Sequence, residues 1–480
     1  MFPGKRYFIV VLILSVLFSF WKLGDKDLNE WDESEYGQNA FEMIHNGDYV
    51  HYYYNGKIDS WNAKPPLLVW SIVLAYKILG YNAFALRFFS ALATVFFFFF
   101  AFKLVHLYGN EKLAFITCLI LLTCKAVIGF HVGRTGDADA LLLLFVTGSL
   151  YYFLLFVDFG NKHAIFPAAV FLGLAFYAKG TAAFLLIPGL LLYLIVTGKL
   201  KTVIKSAGFW IGISLSVLIT LSWVFILLIK GNKLESGALY GSNSVLETLF
   251  VHDTFNRLTS TTFDKIYAPD RFLFIRFLDV RFNVWNYFFY LSIFLGVIGL
   301  IKKKKFLDEI IMLSICITTP VILLLTFAAS THDWYLAPIA LFVSIITSKG
   351  IIAICERYNW FNWVWIAVFL FTSTRKFNEI NSPKNETAAF FKKNKKYFDE
   401  APLVQLLGTL PQDYFLYLNW YSKKITTDNI PLFKKNSLLF WNRQVNPIDT
   451  SQLTLLDCRG DCCLALSYVS PYDLSNVSVK

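Results

Sequence analysis

Residues 83–102 read AFALRFFSALATVFFFFFAF, twenty residues whose single ionisable group, Arg87, stands near the start. At 1.5 Å per residue, a helix of that length reaches about 30 Å, the thickness of a bilayer's hydrocarbon core. Comparable apolar runs occupy Tyr7–Trp21, Leu113–Ile128, Ala140–Val157, Ser206–Ile229, Val284–Ile301, Ile310–Phe327, Leu336–Thr347 and Asn359–Thr374. Composition agrees with them. The 480 residues are 56% hydrophobic and 18% aromatic, with only 16% charged and a mean hydropathy of +0.53. A soluble domain carries roughly 25% charged residues. The expected fold is therefore mainly α, a polytopic membrane helix bundle. The net charge of +11 fits cytoplasmic lysines that orient the spans, and its scatter between apolar runs argues against nucleic acid.

Two apolar segments need separate treatment. Leu67–Leu79 follows Pro65-Pro66 and carries Lys77; it is too short to cross and reads as an interfacial or re-entrant helix. Ala164–Thr197 would run roughly 50 Å as one helix. Lys179-Gly180 breaks it near the middle, so two short crossings are expected. Lys5 and Arg6 precede the first apolar run, and no small-x-small cleavage pattern follows it. That pattern predicts an uncleaved signal anchor with its N-terminus inside. About eleven crossings follow, with Lys199, Lys201, Lys205, Lys302–Lys305, Lys349 and Arg357 on the cytoplasmic side.

The same parse divides the chain into residues 1–375, within the membrane, and residues 376–480, a small extracytoplasmic α/β domain. Tyr414–Leu418 and Ser437–Trp441 are its strand-like runs. Four of the seven cysteines lie in or beside apolar spans. Cys458, Cys462 and Cys463 cluster near the end, where one local disulfide would leave an odd thiol.

Outside the cytoplasm the loops collect most of the ionisable residues that could do chemistry. The first carries Asp32, Glu33, Glu35 and Lys64; the second runs His131-Val132-Gly133-Arg134-Thr135-Gly136-Asp137-Ala138-Asp139. Later loops add His252, Asp253, Arg257, Arg271, Arg276, His332 and Asp333. Adjacent carboxylates, such as Asp32 and Glu33, can supply a general base whose pKa neighbours and burial set. Asp137 and Asp139, with His332, could hold a divalent cation (Mg, Mn or Zn) that offsets a phosphate's charge. Structural roles are equally open to these residues. Acidic residues at a helix start are often caps and dipole partners, Lys179-Gly180 can be simply a turn, and Trp31 and Trp61 can be interfacial anchors.

Read together and in order, these residues resemble a family. Trp31-Asp32-Glu33 through Tyr36, Gly47-Asp48-Tyr49, Asn55-Gly56, Lys64-Pro65-Pro66-Leu67 and Arg87-Phe88-Phe89-Ser90-Ala91 look like the first lumenal loop of GT-C glycosyltransferases. More narrowly, they resemble the polyprenyl-phosphate-sugar-dependent enzymes, which include lipid A aminoarabinose transferases and protein O-mannosyltransferases. Arg134-Thr135-Gly136-Asp137, Lys179-Gly180 and Trp334-Tyr335 continue the likeness over roughly residues 5–375. The resemblance implies an enzyme of the plasma (inner) membrane. It would take a sugar from a polyprenyl-phosphate donor and transfer it, with inversion, to a lipid, glycan or protein acceptor. It implies Asp32 as the base, with Glu33 beside it. Lys64 and Arg87 are positional candidates for the departing phosphate, and Arg134, Arg257 and Arg271 are candidates from charge and side. Two departures stand out. Glu35 occupies a position where aminoarabinose transferases have Arg, and Ala63 a position where they have Glu. The main rival is a transporter or flippase of lipid-linked sugars. It would place ionisable groups near the midplane, where these spans have almost none.

Overall fold

The computed structural model describes residues 5–59, 62–231, 244–259, 270–301, 308–381, 385–422, 424–427, 437–445 and 453–467. Trp61 and Lys302–Lys305, which entered the sequence reading, lie outside them.

The chain is mainly helical. In order come α1 (Lys5–Phe20), α2 (Asp32–Asn46), α3 (Leu67–Leu79), α4 (Ala83–Tyr108), α5 (Glu111–Thr123), α6 (Asp139–Val157), α7 (Ile165–Lys179), α8 (Ile187–Val196), α9 (Leu200–Ile204) and α10 (Ala207–Lys230). Further long helices are Trp285–Ile301, Glu309–Phe327, Ala340–Arg357 and Phe361–Asn381. Among the described residues six helices are long and apolar enough to cross a membrane: Ala83–Tyr108, Asp139–Val157, Lys162–Phe184, Ala207–Lys230, Glu309–Phe327 and Asp333–Arg357. Four shorter apolar helices, Arg6–Phe20, Leu67–Leu79, Ile187–Val196 and Trp285–Gly299, accompany them.

Several span starts are fixed by polar caps. The Asn82 side chain accepts from Ala85 N–H at 2.8 Å, and Asn110 accepts from Leu113 N–H at 2.8 Å. Asp308 does the same for Ile311 N–H at 3.2 Å. Each satisfies a donor that the first helical turn leaves without a partner. The outer surface of the bundle is apolar: Leu218, Phe225, Leu228, Tyr287 and Phe294 are all more than 60% exposed. Such a face would aggregate in water and suits lipid.

The expected break in Ala164–Thr197 is present. α7 ends at Lys179, Gly180 takes φ +57°, a 3-10 turn covers Gly180–Phe184, and α8 follows. Leu113–Ile128 behaves differently. α5 stops at Thr123, and residues 124–138 form turns and bends in place of helix. Their apolar members Ala126, Val127, Ile128 and Val132 are buried against other protein. Hydropathy alone does not separate that burial from lipid contact.

Towards the C-terminus a five-stranded sheet forms in the order β4-β3-β5-β7-β6. Its strands are β3 (Val404–Leu407), β4 (Ile425–Thr427), β5 (Ser437–Asn442), β6 (Leu453–Arg459) and β7 (Cys462–Ser467); β1 (Tyr53–Tyr54) and β2 (Lys57–Ile58) make a small hairpin in the first loop. β3 pairs parallel with β4 and β5, and β7 antiparallel with β5 and β6. Ser437–Trp441 is a strand as read, but Tyr414–Leu418 lies inside the helix Gln412–Tyr421. A short aromatic-apolar run satisfies either period, and packing decides. Cys458 and Cys463 form a disulfide across β6 and β7, leaving Cys462 as a buried thiol. The helix Phe361–Asn381 runs on past residue 375.

This unit sits on the first loop. Thr387 N–H donates to Asp27 at 2.8 Å, Arg459 pairs with Asp27 at 3.2 Å, and Asn419 donates to Gln38 at 3.2 Å.

Candidate active site

The first turn of α2 places Asp32, Glu33 and Glu35 at a helix N-terminus, where their charge suits the helix dipole. Trp31 enters it at φ +70°, a left-handed conformation unusual for a residue with a Cβ. No side chain caps this end, so the acidic residues point elsewhere.

Glu33 points inward and is 1% exposed. Arg87 Nε donates to its Oε1 at 2.6 Å and Nη2 to its Oε2 at 3.0 Å. Asn29 N–H donates at 2.8 Å and Gly136 N–H at 2.8 Å. Burial alone would raise this carboxyl's pKa; Arg87 and the backbone donors reverse that and hold it below the usual range. Arg87 spends its remaining donors on the carbonyls of Leu23, Lys26 and Asp27. A Cβ at Gly136 would meet Leu86 Cδ2 at 1.9 Å, so any larger residue there displaces that side chain. Glu33 and Arg87 therefore join three segments: the end of the first span, the first loop and residues 124–138. Fully occupied, neither fits the role expected of it as base or phosphate ligand. Arg134 is occupied as well. It donates to the carbonyls of Phe18, Ser19, Trp21 and Lys22 and so caps the C-terminal end of α1.

Asp32 points the other way, with 33% of its side chain exposed. Burial would raise its pKa, but the charges of Lys64, His131, Lys179 and Arg257 together hold it below the ordinary value. Lys64 donates to Tyr36 Oη at 2.7 Å. Its ammonium is disfavoured by burial, yet Tyr36, Asp32 and Asp253 hold its pKa up. Lys179, at the end of α7, pairs with Asp139 and lies 5.6 Å from the centre of the Tyr335 ring. Arg257 donates to Tyr335 Oη and pairs with Asp253 at 3.1 Å. Arg271 is exposed and forms no ion pair among the described residues.

Residues 124–138 bring His131 and Asp137 to Asp32. His131, at φ +64°, places Nδ1 3.4 Å from Asp137 and 3.8 Å from Asp32. Its ring is stacked 4.3 Å from Trp334, whose ring lies 4.2 Å from that of His332. Arg281 ties this stack in place, gripping Asp333 at 2.7 and 3.1 Å and the Phe130 carbonyl at 2.9 Å. Asp137 is 3% exposed and neither of its oxygens has a hydrogen-bond partner. Burial, together with Asp32 and Glu33, pushes its pKa up against the pull of His131. The His131 pKa is raised, because Asp137, Asp32 and Asp139 outweigh its burial.

Asp32, His131 and Asp137 offer ligand atoms that all lie within 4.8 Å of one another. A buried carboxylate whose one ion-pair contact among the described residues is His131 at 3.4 Å is the kind of group a divalent cation satisfies. The set differs from the one read in the sequence: Asp139 is taken by Lys179, and His332 lies against Trp334.

Glu35, the residue that departs from the aminoarabinose-transferase pattern, is 5% exposed, and its Oε1 has no hydrogen-bond partner. Burial, then Asp59, then Asp32 push its pKa well above the ordinary value. Asp59 accepts from Asn39 at 2.9 Å, and Asn39 accepts from Asn62 at 2.9 Å. Sequence reading missed His131, Arg281 and Asp59 as site residues. His131 and Asp59 stood out in sequence as ionisable residues of the extracytoplasmic loops, without a role assigned to either.

A membrane helix bundle with this acid–base cluster at one end of its spans, covered by a small α/β unit, has the architecture of the GT-C glycosyltransferases. The chain is similar to that class in fold. Residues 63–226 match the profile of the dolichyl-phosphate-mannose-protein mannosyltransferase family. The chain is 29% identical over 201 residues to an uncharacterized protein of Aquifex aeolicus, covering 42% of this chain and 40% of that one. It is 24% identical over 224 residues to the undecaprenyl phosphate-alpha-4-amino-4-deoxy-L-arabinose arabinosyl transferase of Shewanella sediminis, covering 45% and 39%. These matches thus span about two-fifths of each curated relative. Among solved structures, ArnT from Cupriavidus metallidurans bound to undecaprenyl phosphate superposes with a TM-score of 0.68 at 14% identity, covering 97% of this chain and 99% of that one.

Proposed function

We infer that this chain transfers a sugar from a polyprenyl-phosphate donor to an acceptor at the non-cytoplasmic face of the membrane. The observation that carries the reading is Asp32: an ionised, partly accessible carboxylate on which the charges of Lys64, His131, Lys179 and Arg257 converge. One carboxylate ringed by cations suits a displacement that consumes a proton acceptor and produces an anion. Asp32 takes the acceptor's O–H proton as that oxygen bonds to the anomeric carbon. The bond from that carbon to the phosphate oxygen breaks, and its electron pair leaves with the polyprenyl phosphate. Attack opposite the leaving group inverts the anomeric centre.

Lys64, Lys179 and Arg257 stabilise the charge that develops on the phosphate, with Tyr335 positioned by Arg257. The polyprenyl phosphate named for the Cupriavidus protein is the kind of ligand such a cation set accepts. With His131 neutral, a divalent cation held by Asp32, His131 and Asp137 would put positive charge beside that phosphate in place of the imidazolium. The sparse charge of the spans favours this enzyme over a transporter, and the lysine distribution supports a cytoplasmic N-terminus with the C-terminal unit outside.

The test is donor consumption. Purified full-length protein, given a polyprenyl-phosphate sugar and an extract of surface glycoconjugates, should release polyprenyl phosphate and move the sugar into the extract. Donor carried across vesicles without cleavage would replace the enzyme with a flippase.

A further inference from the structure

A second charged cluster lies on the same side of the bundle, outside the Asp32 site. It occupies a cleft lined by Thr123, Lys125, Trp285, Thr372, Arg375, Lys376 and Glu379, where the end of α5 meets the helices Trp285–Ile301 and Phe361–Asn381. Three cations share it with one carboxylate. Lys376 is 4% exposed, and the ion-pair partner it has among the described residues, Glu379, is 3.5 Å away. Lys125 reaches the same Glu379 at 3.9 Å. Arg375 is exposed and forms no ion pair among the described residues. The charge of Arg134, itself committed to the α1 carbonyls, adds to the positive field on Lys376.

Burying a lysine beside two further cations is unfavourable unless an anion offsets them. Glu379 is 47% exposed and is shared between two lysines, so it offsets only part of that charge. Next to the cleft the protein surface turns apolar: Leu370 is 58% exposed, Phe371 60% and Tyr287 70%. The cleft encloses only about 10 Å³, so a ligand resting on its mouth would meet cations at its head and an apolar wall along its tail. A phosphate-bearing lipid has that form. Basic pockets between membrane helices bind anionic headgroups through the same combination.

We propose that the cleft between α5, Trp285–Ile301 and Phe361–Asn381 binds the phosphate of an anionic membrane lipid through Lys125, Arg375 and Lys376. This site is separate from the one that holds the donor, and no step of the transfer depends on it.

Native mass spectrometry of the full-length protein, released from nanodiscs of equal phosphatidylglycerol and phosphatidylcholine, tests it. Wild type should retain phosphatidylglycerol in preference to phosphatidylcholine. In Lys125→Gln/Arg375→Gln, one half-buried and one exposed position, that preference should fall about thirtyfold, as loss of two basic contacts to an anionic surface implies. Lys376→Met should lower it too, with thermal unfolding confirming that the variant is folded. Equal retention of both lipids by wild type, or an unchanged preference in the double variant, overturns the proposal. A third arm adds millimolar inorganic phosphate. Failure to displace the lipid supports a headgroup site; complete displacement overturns the lipid assignment in favour of a soluble anion.

Discussion

Asp32 and Glu33 are neighbours in sequence and opposites in structure. Glu33 is enclosed, gripped by Arg87 and three further donors, and shares its position with the core. Asp32 is partly open, near a histidine and three cations, with the buried Asp137 carboxylate beyond. Both are ionised, for different reasons. Glu33 is stabilised by fixed hydrogen bonds that leave nothing to react, whereas Asp32 is stabilised by longer-range charge that leaves its oxygens available. A carboxylate's role here depends on whether its partners fill its lone pairs or merely surround it.

The largest effect should come from breaking the closed side. Arg87→Met strands Glu33 as a buried charge and frees the first loop, costing about 3–5 kcal/mol. Thermal unfolding in detergent should show a strongly lowered midpoint or no folded protein. A midpoint near wild type would mean that Glu33 and Arg87 do not join the three segments.

Chelation addresses the open side. Removing a cation held by Asp32, His131 and Asp137 should lower turnover about 10–100-fold, the range seen when a metal site's supporting groups are lost. Added Mn or Zn should restore it, and Asp137→Asn should abolish the response. Turnover indifferent to chelator would leave the three residues as an acid–base cluster without metal.

Acidity separates the two further. Because surrounding cations lower the Asp32 pKa, its ionised form persists as pH falls through the ordinary aspartate value of about 3.9. The acid limb of the rate profile should therefore lie below that value. A limb near pH 6 would assign the base to another group.

The smallest effect concerns Glu35. Its raised pKa means that the folded state holds a proton the unfolded chain releases, so its contribution is full below the unfolded value of about 4.3 and declines as pH rises. Glu35→Gln removes that slope. The variant should melt about 2 °C higher than wild type at pH 8 and alike at pH 4. A lower midpoint at pH 8 would show that Glu35 is ionised and paired.

Much of the helical frame was legible because lipid exposure and helix length write themselves into apolar runs. The starts of α4 and α6 and the break at Lys179-Gly180 fall within a residue of their expected places. The irregular segment 124–138 was hidden, since residues buried in protein and residues facing lipid are equally apolar. The site was legible as a set of loops but not as a set of contacts. Hydrophobic and charge patterns bring Asp32, Lys64, Asp137 and Arg257 to one side. They do not tell that Arg87 and Arg134 are consumed by carbonyls and a carboxylate, because such bonds depend on backbone placed by distant segments. His131 needed its positive φ and the stack on Trp334 to become visible.

The most direct measurement is the rate of polyprenyl phosphate release by wild type and Asp32→Asn, both verified folded by their melting midpoints. The account predicts a loss of about 10²–10⁴-fold for Asp32→Asn with an unchanged midpoint. Equal rates in the two proteins would contradict it and remove Asp32 as the base.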